Sequence, residues 1–299
     1  MDAAAPTVTV AIASMGRPTL ARTLASVMRQ DLPEGAALDV VVADDSMDGS
    51  ARRLVENEGD GPWPVRVIDV ASRNIATARN AALEAATGTF IAWIDDDEWA
   101  EPDWLRSLLA CAEAHDADAV FGPADAVYPD DAPAWAERVG VYRKRPGRTG
   151  ERVETGSTSN ALLRRASVGE LRFRERFGQT GGEDTDFFNR LARGGAKLVA
   201  SAEGHVTEDV PPERLHLRHL RQRYTRGGHT YAAITNGEAS RLDALRFYGA
   251  SAAKLALSGL GAVAVSPVRR DLAVSLALKS WLNYGKLLYG AGRPSPRIY

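Results

Sequence analysis

An α/β fold with a mostly parallel central sheet flanked by helices, continued by a helical C-terminal segment, is what this sequence predicts. Three observations carry that expectation. Short apolar runs rich in β-branched residues alternate with segments of helical length. Several of those runs stop abruptly in acidic or glycine-containing turns. Beyond Pro211 the periodicity is helical throughout. The 299 residues leave room for one large domain or two ordinary ones. A composition 44 % hydrophobic and 25 % charged excludes a disordered chain, a collagen repeat or a disulfide scaffold.

The elements follow in order. Val8 to Ala13 reads as a first strand stopped by Ser14-Met15-Gly16-Arg17-Pro18, with Thr19 placed to cap a helix from Leu20 to Gln30. Asp39 to Ala43 is apolar along its length, as a strand covered on both faces would be, and runs into the loop Asp44-Asp45-Ser46-Met47-Asp48-Gly49-Ser50. A third strand spans Val65 to Val70. An alanine-rich helix from Ile75 to Ala86 follows, ended by Gly88. Thr89 to Ile94 is a fourth strand leading directly into Asp95-Asp96-Asp97-Glu98, and a helix from Pro102 to about His115 comes next. Ala119 to Gly122 is a fifth strand, after which regularity lapses between about Pro129 and Gly156. It resumes over Ser159 to Arg164 and in a short helix from Thr185 to Arg193. Strands separated by helices of this length read as βαβ units.

Past Pro211, Leu217, Leu220 and Tyr224 share one helical face and Arg214, Arg218 and Arg221 another. In the last helix Ser275, Lys279, Asn283 and Lys286 form a polar stripe opposite Val274, Leu278, Trp281, Leu282 and Leu288. The net charge of −2 hides a polarity, because residues 211–299 carry fourteen Lys/Arg against four Asp/Glu. An acidic body with a basic end suits an anionic membrane surface; without a recognisable motif or aromatic platform, nucleic acid is not expected. The longest uncharged run there, Leu255 to Val268, is fourteen residues, short of the ~18–20 a spanning helix needs, so no transmembrane span is expected. The single cysteine, Cys111, suggests a reducing compartment, and Met1 to Pro6 lack the basic start and apolar run of a secretory leader.

In an open α/β sheet ligands bind beyond the carboxyl ends of the strands. Asp44-Asp45 and Asp95-Asp96-Asp97 each follow a strand, so a single parallel sheet brings five carboxylates to one edge. Such a cluster calls for a cation, and a hard divalent ion, Mg²⁺ or Mn²⁺, shared with substrate phosphates is the natural one. A turn or helix cap would account for Asp44-Asp45 alone, but one cap needs one carboxylate, not three. Arg17 and Arg79 are candidate bidentate phosphate donors. Neither GxGxxG after the first strand nor GxxxxGK[ST] occurs, which argues against a nicotinamide dehydrogenase and a P-loop NTPase. A third cluster, Gly181-Gly182-Glu183-Asp184-Thr185-Asp186, opens a helix. Dipole stabilisation explains its acids, while the glycine pair suits a ligand approaching the backbone, and both readings stand.

Together these pieces resemble a family 2 glycosyltransferase of the metal-dependent GT-A fold. The matching stretches are Thr7 to Ile12 with Arg17-Pro18, Val40 to Ser50, Asn74 to Ala82, Gly88 to Glu98 and Gly182 to Phe188, in order and spacing over about residues 7 to 210. The resemblance implies that Asp44 or Asp45 meets the nucleotide base or ribose. It implies that Asp95 and Asp97 contact ribose and metal, with Asp96 beside them on the donor side, and that Asp184 is the general base. Glu183 and Asp186 would hold acceptor or helix. The stretch His205 to Pro211, with Arg214 beyond it, is similar to bacterial exopolysaccharide transferases of the succinoglycan type. Two departures stand out: the acidic loop is one residue shorter before Gly49 than the usual pattern, and the Gln-x-x-Arg-Trp of processive synthases is missing.

The expectation is an inverting transferase with a catalytic domain at 1–210 and a basic, amphipathic acceptor or membrane segment at 211–299. It would use a nucleotide-diphosphate sugar and a glycan or lipid-linked oligosaccharide, and act in the cytoplasm on the inner face of the cell membrane. A sugar nucleotidyltransferase would carry a glycine-rich basic loop after the first strand, for which Ser14-Met15-Gly16-Arg17-Pro18 is a poor substitute. A silent glycan-binding or scaffolding subunit of the same fold is the alternative of another class, and three intact acidic clusters weigh against it.

Overall fold

The computed structural model describes residues 5–59, 61–236 and 240–295. Residues 1–4, where no leader is expected, and the last four residues of the basic segment lie outside them. In chain order the elements are β1 (Thr7–Ser14), α1 (Leu20–Val27), β2 (Ala37–Asp44), α2 (Ser50–Glu58), β3 (Val65–Asp69), α3 (Ile75–Ala85), β4 (Phe90–Ile94), β5 (Glu98–Ala100) and α4 (Trp104–Ala114). Then come β6 (Ala119–Phe121), β7 (Ala124–Val127), α5 (Ala134–Val139), β8 (Asn160–Arg164), α6 (Glu183–Arg193), β9 (Leu198–Ala200), β10 (Val206–Asp209), α7 (Leu217–Asn236), α8 (Arg241–Val265) and α9 (Arg270–Gly290). They gather into two compact units. One comprises Met1–Ala126, Arg143–Gly178 and Glu183–Asp209; the other Val127–Tyr142, Gln179–Gly182 and Val210–Tyr299.

The first unit is built on a seven-stranded sheet of order β3-β2-β1-β4-β8-β6-β9. β1, β2, β3 and β4 run parallel, as do β6 and β9; β8 is antiparallel to both its neighbours. Period-2 alternation sends successive residues of β1 to opposite faces. Val8, Val10 and Ile12 meet Leu20, Leu24 and Val27 of α1 and Trp104, Leu105 and Leu108 of α4 in one core. Ala11 meets Ala76, Ala78 and Ala82 of α3 and Phe187 and Phe188 of α6 in the other. The alanines of α3 explain both its composition and its close seat on the sheet. Beside this sheet, β5, β10 and β7 make a three-stranded one.

The structure differs from the sequence expectation at several places, among them a helix, α2, where none was expected. The first helix ends at Val27 rather than Gln30, and Thr19 makes no side-chain cap bond. β5, β9 and β10 are three or four residues long, too short for a period to register. The irregular stretch 129–156 contains α5, which buries Trp135.

In the second unit α9 packs on α5, α7 and α8. Asn283, expected on the outward polar stripe of α9, is buried, and so is Ser280. Contrary to the expectation drawn from uncharged runs, α8 is long and apolar enough, by length and composition, to cross a membrane. Counting from Leu255 stopped at Lys254; the helix itself runs through that residue.

Candidate active site

Parallel pairing aligns the strand ends. Ser14 of β1 lies opposite Asp44 of β2, which lies opposite Asp69 of β3, and β4 delivers Asp95 to the same edge. The acidic clusters therefore share one edge of the first unit, but their charges are divided among separate partners.

Asp44 is buried and turned back on its own loop. Its carboxylate accepts from Ser46 N at 2.9 Å, Ser46 Oγ at 2.5 Å and Arg52 N at 2.9 Å, which closes the turn and the start of α2. Asp45 reaches across to the loop before α3, accepting from Ser72 N (2.6 Å), Ser72 Oγ (2.8 Å), Arg73 N and Asn74 N (both 2.9 Å). The two carboxylates expected at the base or ribose thus shape the backbone on either side of the strand ends.

Asp96 is buried and accepts from Ser14 Oγ at 2.6 Å; Arg17 Nη1 lies 3.1 Å from it and 2.7 Å from Asp97. Burial pushes the Asp96 carboxyl up to about 6, against the opposing pull of Arg17 and the Ser14 hydroxyl. Asp95 keeps 38 % of its side chain exposed and Asp97 18 %. The cations lying among these carboxylates are guanidinium groups, Arg17 beside Asp96 and Asp97 and Arg79 beside Asp95.

Arg79, expected at a donor phosphate, is buried. Its Nη2 donates to Asp95 at 3.1 Å and its Nη1 to Glu183 at the start of α6. Burial works against its charge, but Glu183, Asp95 and Asp184 together hold the guanidinium above its ordinary pKa. Burial pushes the Glu183 carboxyl up, with Arg79 pulling it down and Asp184 adding to the rise. The second oxygen of Glu183 has no hydrogen-bond partner. One guanidinium therefore links the end of β4 to the first turn of α6.

Asp184, the expected base, is half-buried on that turn, its Oδ1 accepting from Thr185 N at 2.7 Å. Asp186 is buried and held by Arg190 Nε at 2.8 Å and Arg174 Nη1 at 3.3 Å, so it braces the helix. The glycine pair before α6 is explained by backbone: Gly181 and Gly182 have φ of 80° and 95°, and a Cβ on Gly182 would stand 2.1 Å from Thr230 Cγ2. Arg214 lies in the second unit, in the turn Pro212–Leu215, with its carbonyl accepting from the Tyr142 hydroxyl.

Sequence reasoning assigned no role to Ser14, Glu98 or Glu208. Glu98 is buried, accepts from Asp95 N at 3.0 Å and faces the buried Glu208 across the β5–β10 ladder. Burial and then Asp95 raise its carboxyl well above the usual range, while Lys144 pulls it down. The available signal was the fourth acid following three, but only the ladder reveals its opposite number. Among the described residues no three His, Cys, Asp or Glu side chains are clustered as a protein-only metal cage.

Residues 9–172 match the sequence model of Glycosyl transferase family 2. The succinoglycan biosynthesis protein ExoM of Rhizobium meliloti is 36 % identical over 281 residues, 92 % of this chain and 90 % of that protein. This chain belongs to family 2 of the glycosyltransferases. The family 2 chain also resembles solved structures. With the mannosyltransferase PcManGT from Pyrobaculum calidifontis, in complex with GDP-Man and Mn²⁺, it shares a TM-score of 0.66 at 20 % identity, over 97 % of this chain and 88 % of that one. With residues 1–349 of S. aureus TarS, in complex with UDP-GlcNAc, the TM-score is 0.53 at 17 % identity, over 97 % and 93 %. At these identities the likeness is one of fold, and the fold is GT-A.

Two predictions follow from this geometry. Replacing Arg79 by methionine leaves Glu183 and Asp95 without their shared cation, and breaking a buried pair in this way costs about 3–5 kcal/mol. Urea unfolding should show that loss, and adding Glu183→Gln to Arg79→Met should recover part of it. Asp96 should leave a pH signature. Between its unfolded value of 3.8 and about 6 the folded chain holds a proton that the unfolded chain releases, so its contribution to stability is present at low pH and lost as pH rises through about 6. Asp96→Asn should remove this dependence, worth at most about 1.4 kcal/mol per pH unit within the window. Paired denaturant titrations from pH 4 to 7 would measure it.

Proposed function

We propose that this family 2 glycosyltransferase inverts the anomeric centre of a nucleotide-diphosphate sugar as it transfers the sugar to a glycan or lipid-linked oligosaccharide during exopolysaccharide or other cell-surface glycan assembly. The observation that carries the mechanism is the Arg79 bridge. It ties Asp95, at the donor edge of the sheet, to Glu183, the immediate neighbour of Asp184. A base on that turn lies beside the carboxylates of the donor side rather than elsewhere in the unit.

Asp184 accepts the proton of the acceptor hydroxyl as its oxygen bonds to the anomeric carbon from the face opposite the departing nucleoside diphosphate. A half-buried carboxylate at a helix start is suited to that task, since the base need only take a proton already loosened by bond formation. Glu183 and Asp186 hold the turn that carries it, and Asp44 and Asp45 hold the loops around the nucleotide. Arg17, half exposed, faces the leaving phosphates while paired with Asp96 and Asp97.

The donor set fits Mg²⁺ or Mn²⁺: Asp95 and Asp97 offer hard oxygens that retain exposure, and such ions use one or two carboxylates completed by water and phosphate. When bound, the ion supplies Lewis-acid stabilisation of the leaving diphosphate. PcManGT was solved with Mn²⁺ and GDP-Man, which supports this reading. The similarity to ExoM favours polysaccharide assembly. We assign catalysis to residues 1–210. Residues 211–299, with Arg214, are assigned to the acceptor and to an anionic surface on the cytoplasmic face of the membrane.

Asp184→Asn should lower turnover by roughly 10²–10⁴-fold while donor binding stays unchanged. Calorimetry for the nucleotide sugar and a separate transfer or donor-hydrolysis assay would check this; equal turnover removes Asp184 from the chemistry. Asp97→Ala should weaken donor binding and activity together. Full activity in excess chelator would exclude the divalent ion.

A further inference from the structure

The packing of α8 is inside out for a helix in water. Its two most buried residues are polar, Ser251 and Ser258, beside the half-buried Phe247, Tyr248 and Leu255. Its outer face carries the large apolar side chains. Leu245 is 70 % exposed, Leu257 73 %, Leu260 71 % and Val263 76 %, and Val268 just beyond is 83 % exposed. The neighbouring helices share this pattern in part, burying Leu220 of α7 and Val274 and Leu278 of α9 beside polar and small residues. Ser280 and Asn283 of α9 are buried, and α7 and α9 touch backbone to backbone: a Cβ on Gly228 would stand 1.8 Å from Leu282 O, and one on Gly285 1.8 Å from Thr225 O.

The buried serine hydroxyls need no water. Ser251 Oγ donates to Phe247 O at 2.8 Å, Ser258 Oγ to Lys254 O and Ser280 Oγ to Leu255 O. Small residues at helix contacts, hydroxyls bonded to helix carbonyls and bulky apolar side chains outside are what hydrocarbon selects, because lipid gives helices no hydrophobic reason to bury leucine. A long helix with bulky apolar side chains turned outward calls for a core or a membrane, and this one has little cover within the described residues.

We propose that α8 is a membrane anchor that lies along the interface of an anionic phospholipid bilayer with its outer face in the acyl chains. The cations around it fit phosphate headgroups: Arg241 at one end, Arg270 past the other and Lys254 midway, with Arg246 and Arg269 also there but partnered by Asp243 and Asp271. Lys254 also decides the orientation. At about 37 Å the helix could cross a hydrocarbon core of about 30 Å, but crossing would place this exposed ammonium near the bilayer centre. Lying flat, Lys254 extends along the headgroups. This anchoring is by apolar insertion, which goes beyond attraction of the basic segment to an anionic surface.

Flotation of the full chain with phosphatidylglycerol–phosphatidylethanolamine vesicles tests it. Binding should persist in about 1 M sodium chloride, where charge attraction is screened. The triple variant Leu257→Asp, Leu260→Asp, Val263→Asp should lose roughly tenfold or more of it while keeping the wild-type unfolding midpoint and donor hydrolysis. The triple methionine variant at the same positions should still bind. Nitroxides on cysteines replacing Leu245, Ala256 and Val263, which share one helical face, should report equal depths in a Cys111→Ala background. Release of the wild type by salt, flotation of the aspartate variant, or a depth graded along the helix would overturn the proposal. So would a lipid-free dimer that the aspartate variant dissociates, since a second copy would then own this face.

Discussion

A buried arginine sharing its charge between two carboxylates is the interaction on which the acidic edge of the sheet depends. Arg79 comes from the middle of α3, Asp95 from the end of β4 and Glu183 from the start of α6, so one guanidinium sets the relative position of three elements. Its strength comes from the same burial that makes it costly. In a low dielectric the attraction is large, and so is the penalty for leaving either carboxylate alone. The alanine-rich face of α3 brings the arginine that deep, because small side chains let the helix sit close on β1 and β2. The chemistry assigned to Asp184 inherits its position from this arrangement.

The same edge shows how a protein holds many carboxylates together. Asp44 and Asp45 are satisfied by backbone N–H groups and serine hydroxyls, Asp96 and Asp97 by Arg17, and Asp95 by Arg79. Backbone amides order loops, and of the carboxylates paired with guanidinium groups at this edge Asp95 and Asp97 keep some exposure while Asp96 does not. The two least enclosed, Asp95 and Asp97, are the pair proposed to meet a divalent ion. Glu98, which faces Glu208 in the small sheet, accepts from the backbone N–H of Asp95.

The helices of residues 211–299 obey a different solvent logic from the sheet unit. There the strands and their covering helices bury Val, Ile, Leu and Phe. In α7, α8 and α9, glycine, serine and asparagine occupy contact positions beside Leu220, Val274 and Leu278, while Leu242, Leu245, Leu257 and Leu260 of α8 face outward. A basic composition and an apolar outer surface in one segment are compatible when the neighbouring phase is a charged interface over hydrocarbon.

By itself, the sequence determined the strands and helices through residue 121 apart from α2 and β5, the C-terminal helicity, and the acidic clusters at strand ends. These are local properties: apolar period, turn residues and an Asp-rich stop are legible in a window of a few residues. Its five ordered motifs also carried the family. Which carboxylates would be spent on loops and which left open was decided by the tertiary structure alone, because Ser72, Asn74, Arg17 and Arg79 reach their partners across 16 to 80 positions or more. The short strands β5, β9 and β10 likewise gain their identity from ladders between distant segments, with no period of their own to announce them. The face of α8 that is exposed was equally unreadable in advance, since a helix apolar on every side does not say which side its neighbours will cover.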